Sequence, residues 1–313
     1  MQTQKTIGII GANGFIGSNL IKHFLTYSQN NVIGLYHDNV EKYPELLDPF
    51  FSKNPRFKAV SGDVFDLENL QKQLTGVSTA YYLIHMMARK DRDFYALETK
   101  AAENFAKAAK QAGVERIIYL GGLGNDHDLL SKHLSSRHNT GNILREFGPE
   151  VIEFRASMVI GVGSIAFDIL ANIAQKLPIL ILPMSVKTKT QPIGLPDVLL
   201  YLTAATEILI SKNEIIEIGG PEIISYEDLI KKYISSQGLK TMFFKSPFLP
   251  ELLDGFILNI FTPKGHAQVG KNMIETLRNQ MIVTNNRAQV LFPQIKPQPI
   301  EILFQEKISE HYK

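Results

Sequence analysis

The sequence predicts an α/β fold, a doubly wound parallel sheet with helices on both faces and a smaller C-terminal substrate lobe. Three observations carry that expectation. Gly11, Gly14 and Gly17 follow an apolar run, Ile7-Gly8-Ile9-Ile10, and open an amphipathic stretch. Strand-like and helix-like segments then alternate through the first 155 residues at the spacing that right-handed crossovers need. Past Ala156 the rhythm loosens, and prolines at 263, 293, 297 and 299 separate the last elements.

Element by element, the pattern gives a strand over Lys5–Ile10 and a helix from Phe15 to Thr26. Strands follow at Asn31–Tyr36 and Phe57–Ser61, then a short helix, Asp66–Leu74, with the aspartate as N-cap. Thr79–Ile84 is the fourth strand. Asp93–Gln111 is an alanine-rich helix stopped by Gly113, a favoured residue just past a helix end. Glu115–Leu120, a helix over Leu129–Phe147 and a strand over Glu150–Arg155 complete a domain spanning residues 1–155. Residues 156–313 read as a smaller lobe on the sheet's carboxyl edge, within one compact unit and with some crossing of the chain between the halves. Its strands are Gln191–Gly194 and Glu214–Ile218. Its helices are Pro196–Ile208, Tyr226–Ser236, Pro250–Phe261, Gln268–Arg278 and Ile300–Glu310.

Composition narrows the function. Lysine and arginine number 33 against 31 acids, so no excess charge points to nucleic acid or an anionic membrane. The absence of cysteine excludes disulfides, thiolate metal sites and cysteine nucleophiles, and fits a reducing compartment. No signal peptide pattern precedes the first strand, and the longest apolar stretches fall short of the ~20 residues of a membrane span. The expectation is a soluble cytoplasmic protein whose ligand is a small molecule, with the oligomeric state open.

The glycine triplet carries the chemistry. The first glycine permits a tight turn, the second lets backbone N–H groups approach a pyrophosphate, and the third lets helix and strand pack closely. The anion then sits at the helix N-terminus, where unpaired N–H groups and the dipole favour it. Gly11, Asn13, Gly14, Phe15, Ile16 and Gly17 are therefore candidate contacts to a dinucleotide. At the end of strand two, Tyr36 stands where an NAD site places an acid, and His37 beside it is a possible 2′-phosphate partner or a solvated turn residue. That absence favours NADP(H) over NAD(H). Asp63, followed by Val64, is placed either to meet the adenine amino group or to cap the next helix. No His-Glu-x-x-His spacing suggests zinc, and no Gly-x-Ser-x-Gly elbow suggests a hydrolase.

Beyond the glycine turn, further segments carry a resemblance: Tyr81-Tyr82-Leu83-Ile84-His85, Ile117 to Gly122, Phe154 to Gly161, Gln191 to Val198, Gly219 to Glu222 and Asn285 to Pro293. With these the chain resembles an atypical or extended short-chain dehydrogenase/reductase, in the branch of the YbjT-type and NmrA-like NAD(P)-binding proteins. The resemblance implies a Rossmann-type fold and places Leu83, Ile84, His85, Gly121 and Gly122 beside the cofactor. It also implies a serine or threonine after strand five and a Tyr-x-x-x-Lys pair on the following helix. Here strand five ends in Gly121-Gly122, and the pair falls on His133 and Arg137. Imidazole is a competent acid–base group, and a guanidinium can hold ribose hydroxyls, so these two are candidate catalytic residues. They serve equally as cofactor contacts or solvated helix residues if the chemistry is lost. His85 either faces the cofactor or packs. The resemblance implies an NAD(P)H-dependent oxidoreductase or epimerase-like enzyme, the alternative being a non-catalytic redox sensor or assembly protein.

Overall fold

The computed structural model describes residues 4–85, 94–176, 179–182, 184–245, 275 and 277–305. In chain order the first half comprises β1 (Thr6–Ile10), α1 (Phe15–Tyr27), β2 (Asn31–Tyr36), α2 (Pro49–Ser52), β3 (Phe57–Ser61) and α3 (Leu67–Leu74). These are followed by β4 (Thr79–Tyr82), α4 (Phe94–Gln111), β5 (Arg116–Gly122), α5 (Lys132–Phe147) and β6 (Glu150–Ala156). The second half adds β7 (Val159–Ile160), α6 (Ile165–Lys176), β8 (Ile179–Leu182), β9 (Lys189–Thr190), β10 (Ile193–Gly194) and α7 (Leu195–Ala204). It continues with β11 (Glu214–Ile218), β12 (Ile224–Ser225), α8 (Tyr226–Ser236), β13 (Met242–Lys245) and helices at Arg287–Leu291 and Ile300–Gln305.

Seven strands form one parallel sheet in the order β11-β6-β5-β4-β1-β2-β3. The order reverses between β1 and β4, and at such a switch point the loops part to leave a crevice above the carboxyl ends of the strands. Side chains alternate across the sheet with period two. Ile118 and Leu120 of β5 pack on one face with Leu20 and Phe24 of α1 and with Val198 and Leu202 of α7. Ile117 and Tyr119 pack on the other with Leu70 of α3, Phe105 of α4 and Leu144 of α5. A separate cluster joins Phe167 and Leu170 of α6, Tyr233 of α8 and Phe304.

The first-half elements lie where the sequence places them, with small shifts at their ends. Asp66 caps α3 by accepting from Asn69 N–H at 3.0 Å. Helix α5 starts three residues later than expected because Ser131 takes the N-cap, accepting from Leu134 N–H at 3.3 Å. Strand β4 ends at Tyr82, two residues early. The expected strand over Gln191–Gly194 is only Ile193–Gly194, paired with β7, and α7 stops at Ala204 instead of Ile208. Features that went unread include α2, α6, the short strands β7, β9 and β12, the helix Arg287–Leu291, and the parallel pairing of β8 with β13. The expected helix at 250–261 lies outside the described residues, as does 268–278 apart from 275, 277 and 278.

The chain does cross between its halves. Strand β11 returns to the central sheet as an edge, parallel to β6. Carbonyls in the last turn of α7 and just past its end accept from first-half side chains. Tyr81 Oη donates to Leu202 O at 2.7 Å, Arg116 Nη1 to Ala205 O at 2.7 Å and Lys5 Nζ to Thr206 O at 3.1 Å.

Candidate functional site

The glycine turn sits between β1 and α1. Gly11 has φ +84, and a Cβ there would lie 3.0 Å from the backbone of Leu83. Gly17 is held against the turn so closely that a Cβ would stand 2.2 Å from Gly11 O. Gly14 differs. Its N–H donates to Gly11 O at 3.0 Å, it is exposed, and a Cβ would meet that same oxygen alone, at 3.2 Å. As N-cap of α1 it supplies no side-chain acceptor, and no acid occupies the first turn. The N-terminus of α1, with Phe15 and Ile16 in its first turn and Asn13 exposed before it, thus offers free N–H groups and an uncompensated dipole beside open space. A pyrophosphate fits that cradle.

At the end of β2, Tyr36 is buried and stacks obliquely on Tyr43 with ring centroids 4.7 Å apart. Burial pushes its hydroxyl pKa up. His37 and Asp63 lie side by side on the surface, Nδ1 to Oδ1 4.0 Å. Asp63 Oδ1 accepts from Phe65 N–H at 2.9 Å. The Val64 side chain is buried in the core, and its carbonyl accepts from Asn104 Nδ2 at 3.0 Å.

Above β1, β4 and β5 opens a cavity of about 340 Å³. Phe15, Ile16, Leu83, His85, Gly121 and Gly122 line it from the first half, together with His133 and Arg137, one turn apart on α5. Ile84 packs beside it against the opposite core. Met158, Tyr226, Leu277 and Met281 reach it from the second half. Burial lifts the Tyr226 phenol pKa to about 12. The stretch containing Leu277 and Met281 is pinned down: Asn279 accepts from Ser131 N–H at 2.9 Å, and Gln191 N–H donates to Met281 O at 2.8 Å.

Strand five ends in Gly121 and Gly122, each close to a neighbouring side chain. A Cβ on Gly122 would lie 2.7 Å from Leu134 Cδ2, and one on Gly121 would lie 3.1 Å from Glu153 Oε1. Arg137 donates to Leu120 O, and its guanidinium lies over the Tyr119 ring, 5.0 Å from the centroid. Tyr119 in turn donates to Arg137 O at 3.0 Å. His85 and His133 face each other with centroids 4.7 Å apart and planes tilted by 35°. Burial lowers the pKa of both imidazoles, that of His133 strongly, with each reinforced by the Arg137 charge and His133 also by His85.

Glu98 of α4, which sequence reasoning missed, holds this pair. Its Oε1 lies 2.8 Å from His85 Nδ1, and Ser136 Oγ donates to Oε2. Glu98 is buried on the same helical face as Ala101, Ala102 and Phe105, three, four and seven residues on. An acid in register with an apolar stripe was the available signal. A second buried network runs behind the cavity. Glu153 of β6, wholly buried, pairs with Arg145 and, at 2.8 Å, with Arg155. Arg155 reaches Asp126 at 3.0 Å, and Asp126 meets His138, whose Nε2 lies 2.9 Å from Gly122 O. Among the described residues, no group of three or more histidines and acids could hold a metal ion. No described helix is long and apolar enough to cross a membrane.

This turn, cavity and strand order define a dinucleotide-binding protein of Rossmann architecture. Residues 11–150 match the sequence model of the NAD(P)H-binding family. Over nearly its whole length the chain shares its fold with solved structures. The Citrobacter sp. triphenylmethane reductase, complexed with NADP(H), superposes with a TM-score of 0.73 at 18% identity, over 96% of this chain and 98% of that one. The Bacillus cereus UDP-glucuronic acid 4-epimerase, in complex with UDP-glucuronic acid and NAD, gives 0.70 at 17% identity, over 97% and 98%. In sequence the chain is 23% identical to mouse "NADH dehydrogenase [ubiquinone] 1 alpha subcomplex subunit 9, mitochondrial", over 97% of this chain and 79% of that relative.

Proposed function

We propose that the protein is an NADP(H)-dependent oxidoreductase acting on a small, largely apolar organic substrate. The observation that carries this reading is the roughly 340 Å³ cavity, which joins the glycine turn to a facing pair of buried imidazoles. Gly11, Asn13, Gly14 and the first turn of α1 bind the pyrophosphate. Asp63 and His37 border the adenosine, His37 offering its imidazole to a 2′-phosphate. Gly121, Gly122 and Arg137 border the nicotinamide ribose. A bound nicotinamide supplies or accepts a hydride there. The chain's own residues hold it, shape an apolar chamber with Met158, Tyr226 and Met281, and exclude water. The absence of cysteine supports a reducing compartment, and we place the protein in the cytoplasm.

A second reading, a redox sensor or assembly protein, is favoured by one observation. All three ordinary acid–base positions are changed, and the Arg137 guanidinium is engaged by Leu120 O and the Tyr119 ring. The likeness to a mitochondrial NADH dehydrogenase subunit is compatible with it. Calorimetric titration with NADPH, NADP⁺ and NADH tests the cofactor. Tighter binding of NADPH than of NADH supports the proposal, and binding of neither dinucleotide overturns both readings. Stopped-flow loss of NADPH absorbance with quinones, aldehydes and ketones separates the two, since a sensor turns over none of them.

A further inference from the structure

His85 is better built for proton exchange than His133. Its Nδ1 lies 2.8 Å from Glu98 Oε1, and the other Glu98 oxygen accepts from Ser136. A carboxylate accepts only, so Nδ1 carries the hydrogen and Nε2 presents its lone pair. That Nε2 is buried, has no hydrogen-bond partner among the described residues, and belongs to a side chain lining the cavity. A buried acceptor without a donor is costly, and a ligand hydroxyl in the cavity would satisfy it. Among the described residues, His133 has no such orienting carboxylate, and its own buried Nδ1 has no partner.

We propose that His85, oriented by Glu98 and Ser136, is the proton-exchanging group of this cavity, and that the ligand presents a hydroxyl, or the carbonyl it becomes, to Nε2. This rests on the oxidoreductase reading. In the oxidative direction the ligand O–H bond breaks and its proton moves to Nε2. The carbinol C–H pair leaves as hydride to an oxidised nicotinamide dinucleotide, and the C=O bond forms. The imidazolium keeps its Nδ1–H on Glu98, which stabilises the new charge. The reverse reaction returns both. Among the described residues, Glu98 from α4 and His133 and Arg137 from α5 are the charged or titratable groups that face His85. Burial and Arg137 hold its pKa below the ordinary value, so at neutral pH the ring is a base.

Nitrogen-15 NMR of histidine-labelled protein, free of dinucleotide, tests the assignment. The expected result is the Nδ1–H tautomer for His85, converted to a mixture in Glu98→Gln. 1-Naphthol should move the Nε2 resonance and bind at least tenfold more tightly than naphthalene, a preference lost in His85→Phe. In alcohol oxidation, His85→Asn should lower kcat about 10²–10⁴-fold while NADP(H) affinity stays within about threefold. A resting Nε2–H tautomer, a resonance unmoved by 1-naphthol, or unchanged kcat in His85→Asn overturns the proposal. Failure of wild type to bind NADP(H) instead overturns the oxidoreductase reading, and leaves the tautomer and naphthol results to stand alone.

Discussion

Gly14 and Gly17 lie three residues apart in one turn, yet substitution should affect different properties. A Cβ on Gly17 would stand 2.2 Å from Gly11 O, where a carbon needs roughly 3.5 Å. Relief requires the start of α1 to retreat from the turn by about 1.3 Å, the difference between those two distances. Leu20, Ile21 and Phe24 of the same helix are fully buried against the sheet, so the retreat disturbs a packed core. Gly17→Ala should therefore cost about 1–3 kcal/mol, the range for overpacking. At Gly14, φ is −74, a value open to any residue, and the added Cβ meets one oxygen at 3.2 Å. Gly14→Val should cost less than about 1 kcal/mol in stability, mainly from a poorer N-cap. Its branched side chain nevertheless fills the space where phosphate must approach, and NADP(H) affinity should fall by about 100-fold or more, about 2.7 kcal/mol. Urea unfolding and calorimetric titration measure the two effects on the same preparations. Wild-type stability in Gly17→Ala, or wild-type affinity in Gly14→Val, would refute the reasoning.

Further outcomes follow from the other polar groups. Glu153→Ala should destabilise by about 3–5 kcal/mol in urea unfolding, because it strips a wholly buried carboxylate from Arg145 and Arg155; a loss below about 1 kcal/mol would contradict that role. His85 and His133 have folded pKa values below the unfolded 6.5, so the unfolded chain binds more protons as the medium acidifies. Stability should be full above about pH 6.5 and decline below it by up to about 1.4 kcal/mol per pH unit for each histidine. His133→Asn should flatten the urea midpoint between pH 6.5 and 5, and an unaltered slope would show that His133 is not buried in its neutral form. Arg137→Ala should weaken NADP(H) binding in calorimetry, whereas His37→Ala should narrow the advantage of NADPH over NADH; equal ratios in wild type and His37→Ala would remove His37 from the adenosine end.

The parts of this fold legible in the sequence are those set by local periodicity. The apolar strands β1, β2 and β5, the Asp66 cap and the glycine turn each carry their signal within a few residues. The pairing of His133 with Arg137 was legible only through the resemblance, which implies a Tyr-x-x-x-Lys pair one helical turn apart at those positions. Glu98 was not, because an acid in an alanine-rich helix looks solvent-facing until its register with Ala101 and Ala102 is noticed. Tyr226 and Met281 come to the cavity from far along the chain, where no spacing rule reaches. Strand β11 reads as a strand from Glu214-Ile215-Ile216-Glu217-Ile218, but nothing local tells that it completes the central sheet instead of a separate one. Helix α6 was hidden behind the glycines at 161 and 163 that precede it.

The return of β11 and the anchoring of α7 by Lys5, Tyr81 and Arg116 have a consequence for how the molecule is made. A nascent chain that has emerged only as far as Ala156 presents β6 as a bare edge, and Tyr81 and Arg116 have no helix end to meet. Until residue 218 clears the ribosome, the sheet offers a row of unpaired N–H and C=O groups, the feature that templates aggregation. The nucleotide half therefore lacks its β11 and α7 partners until then. Its synthesis leaves an interval in which holdase chaperones have an obvious target.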